Sequence, residues 1–494
     1  MKFSFETPPL GTVRDWLDFR AQGNETAFVF TDGSDALSWS ELRTGATEIA
    51  QALTAQGIAK GESVAILQPN GREGVLAFYG AVYGGFRATM VNLAAGRDAI
   101  AHALEHSEAR IALVHDSVAE MYQNARPGKM QRLTSFQSEE VPLHQIEAGD
   151  HALLMYTSGT TGRPKGVVHT HSSLLAGGWT PAIAHHLTAQ DRALCVLPIC
   201  HINGLCVSVM GALVSGGTVI MAQKFSTSQF WDQISTHEVS WFSVVPTIIS
   251  HLLHSDKNPD AKSKARLRFG RSASSPLSPD VQTAFETRFE MPIIETMGLT
   301  ETAAQILSNP LPPGTRKIGS PGIAYGNEVT ILAFDLSECA VNVEGEIAVR
   351  GPNVMLEYLR NPEATKSAFN GEWLRTGDLG RKDADGYLFV TGRLKELIIK
   401  GGENIAPREI DEALYSHSDV VEAAAFSRPC KTYGERIEAA VSVCEGSTLT
   451  EPDLISICIE KLGKFKSPDT VHFLSELPKG PSGKIQRLKL QETL

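Results

Sequence analysis

The feature that most constrains the fold is an alternation of short apolar runs with amphipathic stretches between residues 26 and 300. In one such unit, Ser40 is predicted to cap a helix with a single apolar face, and Gly57 is predicted to end it. The apolar run 64–67 that follows is predicted to be a buried strand. Parallel sheets require this alternation, because a helix covers each crossover between parallel strands. The pattern therefore predicts an α/β protein with a large body of α/β layers.

The pattern changes near residue 393, after which shorter segments predict a small α+β module of about a hundred residues. A chain of 494 residues is also too long for one ordinary hydrophobic core. We therefore predict an N-terminal domain over residues 1–392, a hinge over residues 393–396 and a smaller C-terminal domain over residues 397–494.

Charge, hydropathy and cysteine usage exclude several classes of protein. The net charge of −11 argues against a general nucleic-acid binder, because phosphate backbones favour basic surfaces. No apolar run reaches the roughly 18 residues of a membrane helix, and the start lacks the apolar core of a signal peptide. The seven cysteines form no C-x-x-C pair, and the histidines show no zinc spacing. We predict a cytoplasmic protein with reduced thiols, no membrane span and no nucleic-acid partner.

Residues 157–166 (TSGTTGRPKG) concentrate hydroxyls, glycines and one lysine between two apolar segments. Glycines let backbone N–H groups turn toward an anion, and Lys165 supplies a compact positive charge suited to phosphates. The spacing is not the Walker pattern, because Gly166 follows the lysine where that pattern has Ser or Thr. A flexible surface loop can have a similar composition. The density of donors nevertheless favours a loop that binds a polyphosphate.

Three further segments place polar side chains beside glycines. Residues 295–302 (ETMGLTET) follow a predicted strand, at whose carboxyl end open α/β sheets bind ligands. Residues 373–380 (WLRTGDLG) are predicted to form a turn that presents Asp378 to two vicinal hydroxyls. Residues 477–484 (LPKGPSGK) hold Lys484 after a constrained loop in a basic tail. Taken singly, each could be a structural cap, a turn or a solvated charge.

Together and in this order, the four segments resemble the motifs of the adenylate-forming enzymes, the superfamily of acyl-CoA synthetases, luciferases and peptide-synthetase adenylation domains. The resemblance extends from about residue 30 to residue 487. It implies that ATP is bound by Thr157, Ser158, Gly159, Thr160, Thr161, Gly162, Lys165, Glu295, Thr296, Met297, Asp378 and Arg393. It further implies that Thr300 contacts the α-phosphate and that Glu301 orients Mg²⁺. Met297 departs from the aromatic residue that is usual at its position.

The same resemblance makes Lys484 the catalytic lysine. A lysine can stabilise the negative charge that develops between a carboxylate oxygen and the α-phosphate as pyrophosphate leaves. Lys484 could reach the site only if the small domain docks over it, which implies a mobile lid that turns about Lys395. Gly401, Gly402 and Lys466 are expected on the coenzyme A side of this lid.

The acid pocket is predicted less sharply. Residues 198–204 (PICHING) resemble the motif whose histidine lines the acyl pocket, although His201 could equally be a buried structural histidine. The predicted pocket residues are His201, Arg271, Ser272, Ala273, Met297 and Gly298. Residues 267–277 and 308–312 look most like the small-acid ligases that include oxalate–CoA ligase. Arg271 and His201 could then pair with a second carboxylate. Apolar Ile199, Val245, Met297 and Ile306 could instead form a pocket for an alkyl or aryl acid.

The resemblance implies an AMP-forming carboxylic acid–CoA ligase that uses ATP, Mg²⁺ and coenzyme A, acting on a small or polar, oxalate-like acid. A ligase for medium-chain or aryl acids and a stand-alone adenylation enzyme that loads a carrier protein remain alternatives. A luciferase-like oxygenase and a nucleotide-binding regulator without chemistry are further alternatives. The sequence is compatible with a homodimer and does not determine the oligomeric state.

Overall fold

The computed structural model describes residues 1–126, 128, 130–133, 140–157, 164–480 and 483–494. The strands are β1 Thr26–Phe30, β2 Leu37–Ser38, β3 Ser63–Leu67, β4 Arg87–Met90, β5 Ile111–Val114, β6 Gln131–Leu133, β7 His151–Tyr156, β8 Gly166–Thr170, β9 Arg192–Cys195, β10 Thr218–Met221, β11 Trp241–Val244, β12 Phe269–Ser272, β13 Ile293–Leu299, β14 Ala304–Ser308, β15 Ile323–Ala324, β16 Glu328–Leu332, β17 Gly345–Arg350, β18 Glu357–Tyr358, β19 Phe369–Asn370, β20 Trp373–Lys382, β21 Leu388–Arg393, β22 Ile398–Lys400, β23 Glu403–Ile405, β24 Val420–Cys430, β25 Gly434–Val443 and β26 Thr470–Phe473.

The α-helices are α1 Val13–Arg20, α2 Trp39–Ala55, α3 Arg72–Gly84, α4 Arg97–His106, α5 Ala119–Ala125, α6 His171–Ala184, α7 Gly211–Ser215, α8 Phe230–Thr236, α9 Pro246–Leu253, α10 Ala261–Arg266, α11 Pro279–Phe289, α12 Pro362–Ala368, α13 Pro407–Tyr415, α14 Glu451–Leu462 and α15 Arg487–Thr493. Residues Asp116–Val118 and Thr300–Thr302 form 3-10 turns, and Asn203–Met210 form a π-helix. No helix in the described ranges is long and apolar enough to cross a membrane.

Two large sheets form the body, as the alternating pattern predicted. Within the described residues, one sheet has the order β15-β14-β13-β12-β11-β9-β10-β1-β2, with parallel pairing from β13 to β1. The other has the order β18-β8-β7-β4-β3-β5-β6, with parallel pairing from β7 to β6. Their central strands are buried along their whole length because helices cover both faces, and strand β3 is an example. The α/β expectation is therefore confirmed.

A third sheet was missed from the sequence. It is antiparallel, with the order β16-β17-β20-β19, and β21 pairs with β20. Residues 373–380, predicted as a turn, belong to the long strand β20, whose pairing shifts between Leu379 and Gly380. The turn prediction was wrong because Gly377 takes a positive φ of 75° inside a strand instead of ending it.

Two other local predictions need correction. Ser38, not Ser40, caps helix α2, because its hydroxyl accepts from the Glu41 N–H at 3.2 Å while the Glu41 carboxylate accepts from the Ser38 N–H at 2.8 Å. Gly57 lies two residues beyond the end of that helix. Residues 295–299 are the second half of strand β13 and do not follow a strand.

The C-terminal residues form a small α+β unit, as the sequence predicted. Its sheet has the order β23-β22-β25-β24 with β26 beside β25, and helix α13 packs on β24. This unit contacts the body through α9: the Ser250 hydroxyl donates to the Val421 carbonyl at 2.5 Å, and His251 lies 3.3 Å from Glu422. The structure therefore has the C-terminal unit docked on the carboxyl-end side of strand β11, which leads into α9.

Candidate active site

The lysine predicted to bind phosphate, Lys165, is held by a strand pair and an aromatic ring. Lys165 immediately precedes β8, and its carbonyl accepts from the Thr157 N–H at 3.0 Å. The ammonium lies 4.0 Å from the centroid of the Tyr358 ring. Burial lowers the pKa of Lys165, the charge of Glu301 opposes this shift, and Lys395 lowers the pKa further. The predicted hinge lysine is therefore close enough to Lys165 to act on its charge.

Residues 158–163 of the predicted phosphate loop lie outside the described residues, and they include the predicted ATP-binding residues Ser158, Gly159, Thr160, Thr161 and Gly162. Lys165, by contrast, is among the described residues.

Thr300 and Glu301 lie together in a tight turn at the end of β13. The Thr300 carbonyl contacts the buried His169 ring at 2.7 Å, and the Glu301 carbonyl accepts from the Met355 N–H at 2.7 Å. One carboxylate oxygen of Glu301, Oε1, accepts a hydrogen bond from the Tyr358 hydroxyl at 2.7 Å. These contacts fix the turn from both sides, and Tyr358 connects Glu301 to Lys165.

The Glu301 carboxylate fits a magnesium ion that arrives with ATP. No cluster of three or more His, Cys, Asp or Glu side chains suited to a metal occurs among the described residues. Magnesium in phosphate sites is commonly held by one or two carboxylates, with phosphate oxygens and waters completing the octahedron. A single carboxylate beside a phosphate-binding lysine matches that donor set. Its second oxygen, Oε2, has no hydrogen bond among the described residues.

Asp378 and Arg393 form an ion pair between neighbouring strands. They are register partners on β20 and β21, and Arg393 Nε lies 2.8 Å from Asp378 Oδ1. Burial raises the pKa of Asp378, and the positive charge of Arg393 opposes that shift. Burial alone would lower the pKa of Arg393, but the carboxylates of Asp378 and Glu396 outweigh it and raise the pKa. The antiparallel sheet thus presents an acceptor and a donor side by side.

The C-terminal unit brings Lys484 to this pair. Lys484 ends a turn in which the Gly480 N–H donates to the Lys484 carbonyl at 2.7 Å. Burial lowers the pKa of the Lys484 ammonium, as does Arg393, while Glu396 and Asp378 oppose the shift. The structure therefore gathers Lys484, Asp378 and Arg393, although Lys484 lies far from the other two in the sequence.

Glu295, Thr296 and Met297, which are predicted to bind ATP, lie in β13. Glu295 is 2% exposed, one of its oxygens accepts from the Leu277 N–H at 3.2 Å, and the other has no partner in the described part of the chain. Burial raises the pKa of this carboxyl. The Thr296 hydroxyl donates to the Ser272 carbonyl at 3.1 Å. A side chain at Gly298 would meet the Ala304 carbonyl at 1.6 Å, so this close approach requires glycine.

Arg271 is the centre of the predicted acid side. It is 1% exposed, and its guanidinium donates to Asn203 Oδ1 at 2.8 Å, to Ser243 Oγ at 3.0 Å and to Gln305 Oε1 at 3.2 and 3.3 Å. Burial lowers its pKa to about 9, which leaves it cationic at neutral pH. Among the described residues, no Asp or Glu carboxylate forms an ion pair with it.

The other predicted acid-side residues lie on or directly after β12, on the neighbouring strand β13 and in the segment before the π-helix. His201 is half-buried, its Nε2 has no partner in the described ranges, and burial lowers its pKa to about 4. It is therefore neutral at pH 7. Ser272 and Ala273 continue the strand from Arg271 and are buried, and Met297 is half-buried on the adjacent strand. Asn203 contacts both Arg271 and the segment that follows β12, because its amide also donates to the Ser274 hydroxyl at 3.2 Å.

The residues predicted on the coenzyme A side lie elsewhere in this lid orientation. Gly401 and Gly402 are exposed, and the Gly401 N–H donates to the Tyr433 carbonyl at 2.8 Å. Lys466 pairs with Glu409 at 2.6 Å. These contacts are all within the C-terminal unit, so the structure does not bring them to the Lys484 cluster.

Several residues with contacts in the site were not assigned from the sequence. Tyr358 touches both Lys165 and Glu301, while Ser243 and Gln305 hold Arg271. Asn203 stood in a recognised motif, although its contact with Arg271 was not foreseen. For the other three no sequence signal existed, because each is a single polar residue on a strand whose neighbours come from distant segments.

The sequence and the structure both match known proteins. The chain matches the AMP-binding enzyme family over residues 17–359 and the AMP-binding enzyme C-terminal domain over residues 409–484. It is 42% identical over 475 residues to sulfoacetate–CoA ligase of Cupriavidus necator, covering 93% of each chain. It is 36% identical to oxalate–CoA ligase of Arabidopsis thaliana, covering 87% of this chain and 88% of the relative. The O-succinylbenzoate coenzyme A synthetase of Bacillus subtilis, solved in complex with ATP and a magnesium ion, superposes with a TM-score of 0.84 at 30% identity, covering 96% of this chain and 98% of that chain.

Proposed function

The chain belongs to the AMP-binding enzyme family of acid–CoA ligases, and from that premise we propose that it activates a small acid that carries a second anionic group. The first half-reaction joins the acid to AMP and releases pyrophosphate. In the second half-reaction, the thiol of coenzyme A displaces AMP and forms the thioester. The two half-reactions together consume ATP, the acid and coenzyme A.

In the proposed first half-reaction, each of the residues described at the site has a role. A carboxylate oxygen of the acid attacks the α-phosphorus, and the bond to the bridging oxygen of pyrophosphate breaks. Lys165 would hold the departing phosphates, and Thr300 would donate to the α-phosphate. Asp378 would accept from the ribose hydroxyls beside Arg393. Magnesium, when bound at Glu301, neutralises phosphate charge.

Lys484 supplies the charge that the transition state needs. Its ammonium would lie against the oxygens of the acid carboxylate and the α-phosphate, where negative charge is concentrated during attack. Desolvation lowers its pKa, but a neighbouring phosphate would favour the charged form. No covalent bond to the protein is needed, because positioning and charge stabilisation lower the barrier.

One observation carries the substrate class: Arg271 is a buried cation with no carboxylate partner among the described residues. Taking a charge out of water is costly unless it is paired. Here the guanidinium makes four hydrogen bonds to three neutral acceptors, out of five N–H donors. The anionic group of a substrate would supply the missing charge. His201, which is neutral at pH 7, could donate or accept a hydrogen bond without adding charge.

The names of two relatives agree with this class. Sulfoacetate and oxalate are both short acids that retain a second anionic group when one carboxylate is activated. Sulfonate and carboxylate oxygens both suit the planar fork of a guanidinium. These similarities support the proposal, and the acid itself has to be identified by assay.

A panel of acids tests the proposal. Pyrophosphate release would be measured with oxalate, sulfoacetate, acetate, benzoate and octanoate, each with and without coenzyme A. We expect release with oxalate or sulfoacetate to exceed release with acetate, and a coenzyme A thioester to form. Preference for benzoate or octanoate would overturn the substrate class. Acid-dependent pyrophosphate release without any coenzyme A thioester would favour the loading of a carrier protein.

A further inference from the structure

Tyr358 contacts two separate parts of the nucleotide site. It ends the short strand β18, which pairs antiparallel with β8 so that Tyr358 faces Val167. Its hydroxyl donates to Glu301 Oε1 at 2.7 Å, and its ring centroid lies 4.0 Å from Lys165 Nζ. Tyr358 is 5% exposed, while Lys165 and Glu301 are half-buried.

The backbone around Tyr358 is hydrogen-bonded to Glu301 and to Gly166, the residue after Lys165. The Met355 N–H donates to the Glu301 carbonyl at 2.7 Å, and the Leu359 N–H donates to the Gly166 carbonyl at 2.7 Å. The segment 355–359 therefore spans from the Glu301 turn to the strand that begins after Lys165. Because both ends of this backbone segment are hydrogen-bonded, the Tyr358 ring has little freedom to move.

The two contacts have different physical effects. A phenol has one O–H donor, so it fixes one oxygen of Glu301 and leaves the other with its lone pairs available. A cation over an aromatic face is attracted to the ring, and the attraction strengthens when water is excluded. At 2.7 Å, the phenol donates this hydrogen bond and the carboxylate of Glu301 accepts it.

We propose that Tyr358 is a positioning residue that orients Glu301 toward magnesium through its hydroxyl and holds Lys165 toward the phosphates through its ring. The inference rests on the proposed function, since it concerns how that site receives Mg·ATP. Tyr358 itself touches neither the metal nor the reacting atoms. It makes the metal-binding carboxylate and the phosphate-binding lysine parts of one unit.

Two substitutions separate the two contacts. Tyr358→Phe keeps the ring beneath Lys165 and removes only the hydrogen bond to Glu301. We expect the magnesium concentration for half-maximal acid-dependent ATP–pyrophosphate exchange to rise about tenfold, the effect of losing one hydrogen bond to a charged group. The affinity for ATP without metal, measured by titration calorimetry, should stay within about twofold of wild type. Tyr358→Leu should raise the magnesium requirement and also weaken metal-free ATP binding about threefold.

A matched control exists in the same chain. Tyr387 donates its hydroxyl to the Thr315 carbonyl at 2.6 Å, and its ring lies 4.6 Å from Lys317 Nζ. Tyr387→Phe therefore removes a comparable hydrogen bond from a comparable lysine–tyrosine pair. We expect it to leave the magnesium requirement unchanged.

A double mutant tests whether the hydroxyl acts through Glu301. When Glu301→Gln is already present, adding Tyr358→Phe should increase the magnesium requirement by less than about twofold, because the two changes remove the same interaction. A full tenfold increase on the Glu301→Gln background would overturn the inference. So would an unchanged magnesium requirement in Tyr358→Phe alone. If wild-type protein shows no acid-dependent exchange with any acid, the proposed function fails, and calorimetric Mg·ATP binding by the same variants still decides the role of Tyr358.

Discussion

The hydroxyl of Thr247, on helix α9 of the body, donates to the backbone oxygen of Gly483 at 3.2 Å. Gly483 directly precedes Lys484, so this hydrogen bond connects the body to the residue beside the predicted catalytic lysine. The surrounding fit is close, since a Cβ on Gly483 would lie 3.0 Å from Val245 and 3.5 Å from the Thr247 hydroxyl. Docking of the C-terminal unit thus fixes Lys484 at the nucleotide site.

Removal of the Thr247 hydroxyl should weaken this docked state. We expect Thr247→Val to slow acid-dependent ATP–pyrophosphate exchange about fivefold, which is the effect of losing one neutral hydrogen bond. The substitution hardly changes the size of the side chain. Thioester formation from a supplied acyl-adenylate should not slow, because we propose that this step uses a second lid orientation, with Gly401, Gly402 and Lys466 on the coenzyme A side. Thr283→Val, on the exposed face of α11, is the matched control. Equal slowing of both half-reactions would argue against a role in docking.

Lys484→Ala should slow adenylation about 100- to 1,000-fold, because a charge placed against the transition state is lost. The measurement is acid-dependent ATP–pyrophosphate exchange at saturating ATP. Thioester formation from the acyl-adenylate should persist. Lys489→Ala changes an exposed lysine five residues further on and should have no effect. Unchanged exchange in Lys484→Ala would remove this residue from the mechanism.

Arg271→Met should change acid preference as well as activity. The ratio of kcat/KM for sulfoacetate to that for acetate should fall about 10- to 100-fold, since a charge-assisted contact to the second anionic group disappears. Arg266→Met, at the end of α10 where the native arginine pairs with Glu238 at 3.2 Å, should leave the ratio unchanged. An equal fall for both acids would mean that Arg271 supports the fold without selecting the acid.

The docking interface should respond to acid through Glu422. Burial alone would raise the pKa of this carboxyl, but contacts from His251, Lys479 at 2.5 Å and the Leu477 N–H at 2.9 Å outweigh burial and lower it. A lowered folded-state pKa means that the stabilisation is present above the unfolded value of about 4.3 and is lost as pH falls through the folded value.

Thermal unfolding midpoints at pH 7 and pH 3.5 measure this effect. We expect Glu422→Gln to lower the midpoint at pH 7, at a loss of about 2 kcal/mol for a broken buried ion pair. The drop between pH 7 and pH 3.5 should then be smaller than in wild type. Glu460→Gln, on the exposed face of α14, should behave as wild type at both pH values. An identical drop in wild type and Glu422→Gln would contradict this assignment.

Much of the fold could be predicted because its signals are local. The apolar run at β3 and the capping pattern before α2 depend on neighbours within a few residues, so period and composition indicate them even where the cap was misplaced by two residues. Strand β20 could not be predicted, because its glycines and Asp378 are typical of turns. These residues take an extended conformation only because the strand pairs with β17 and β21.

The order of four short motifs by itself determined the enzyme family, the use of ATP and the candidate roles of Lys165, Glu301, Asp378 and Lys484. Their chemistry depends on residue type and spacing, which a sequence carries directly. The tertiary structure alone decided that Tyr358 joins Lys165 to Glu301 and that Arg271 is buried among neutral partners. Desolvation and pairing depend on side chains brought together from distant segments, and no local pattern encodes them.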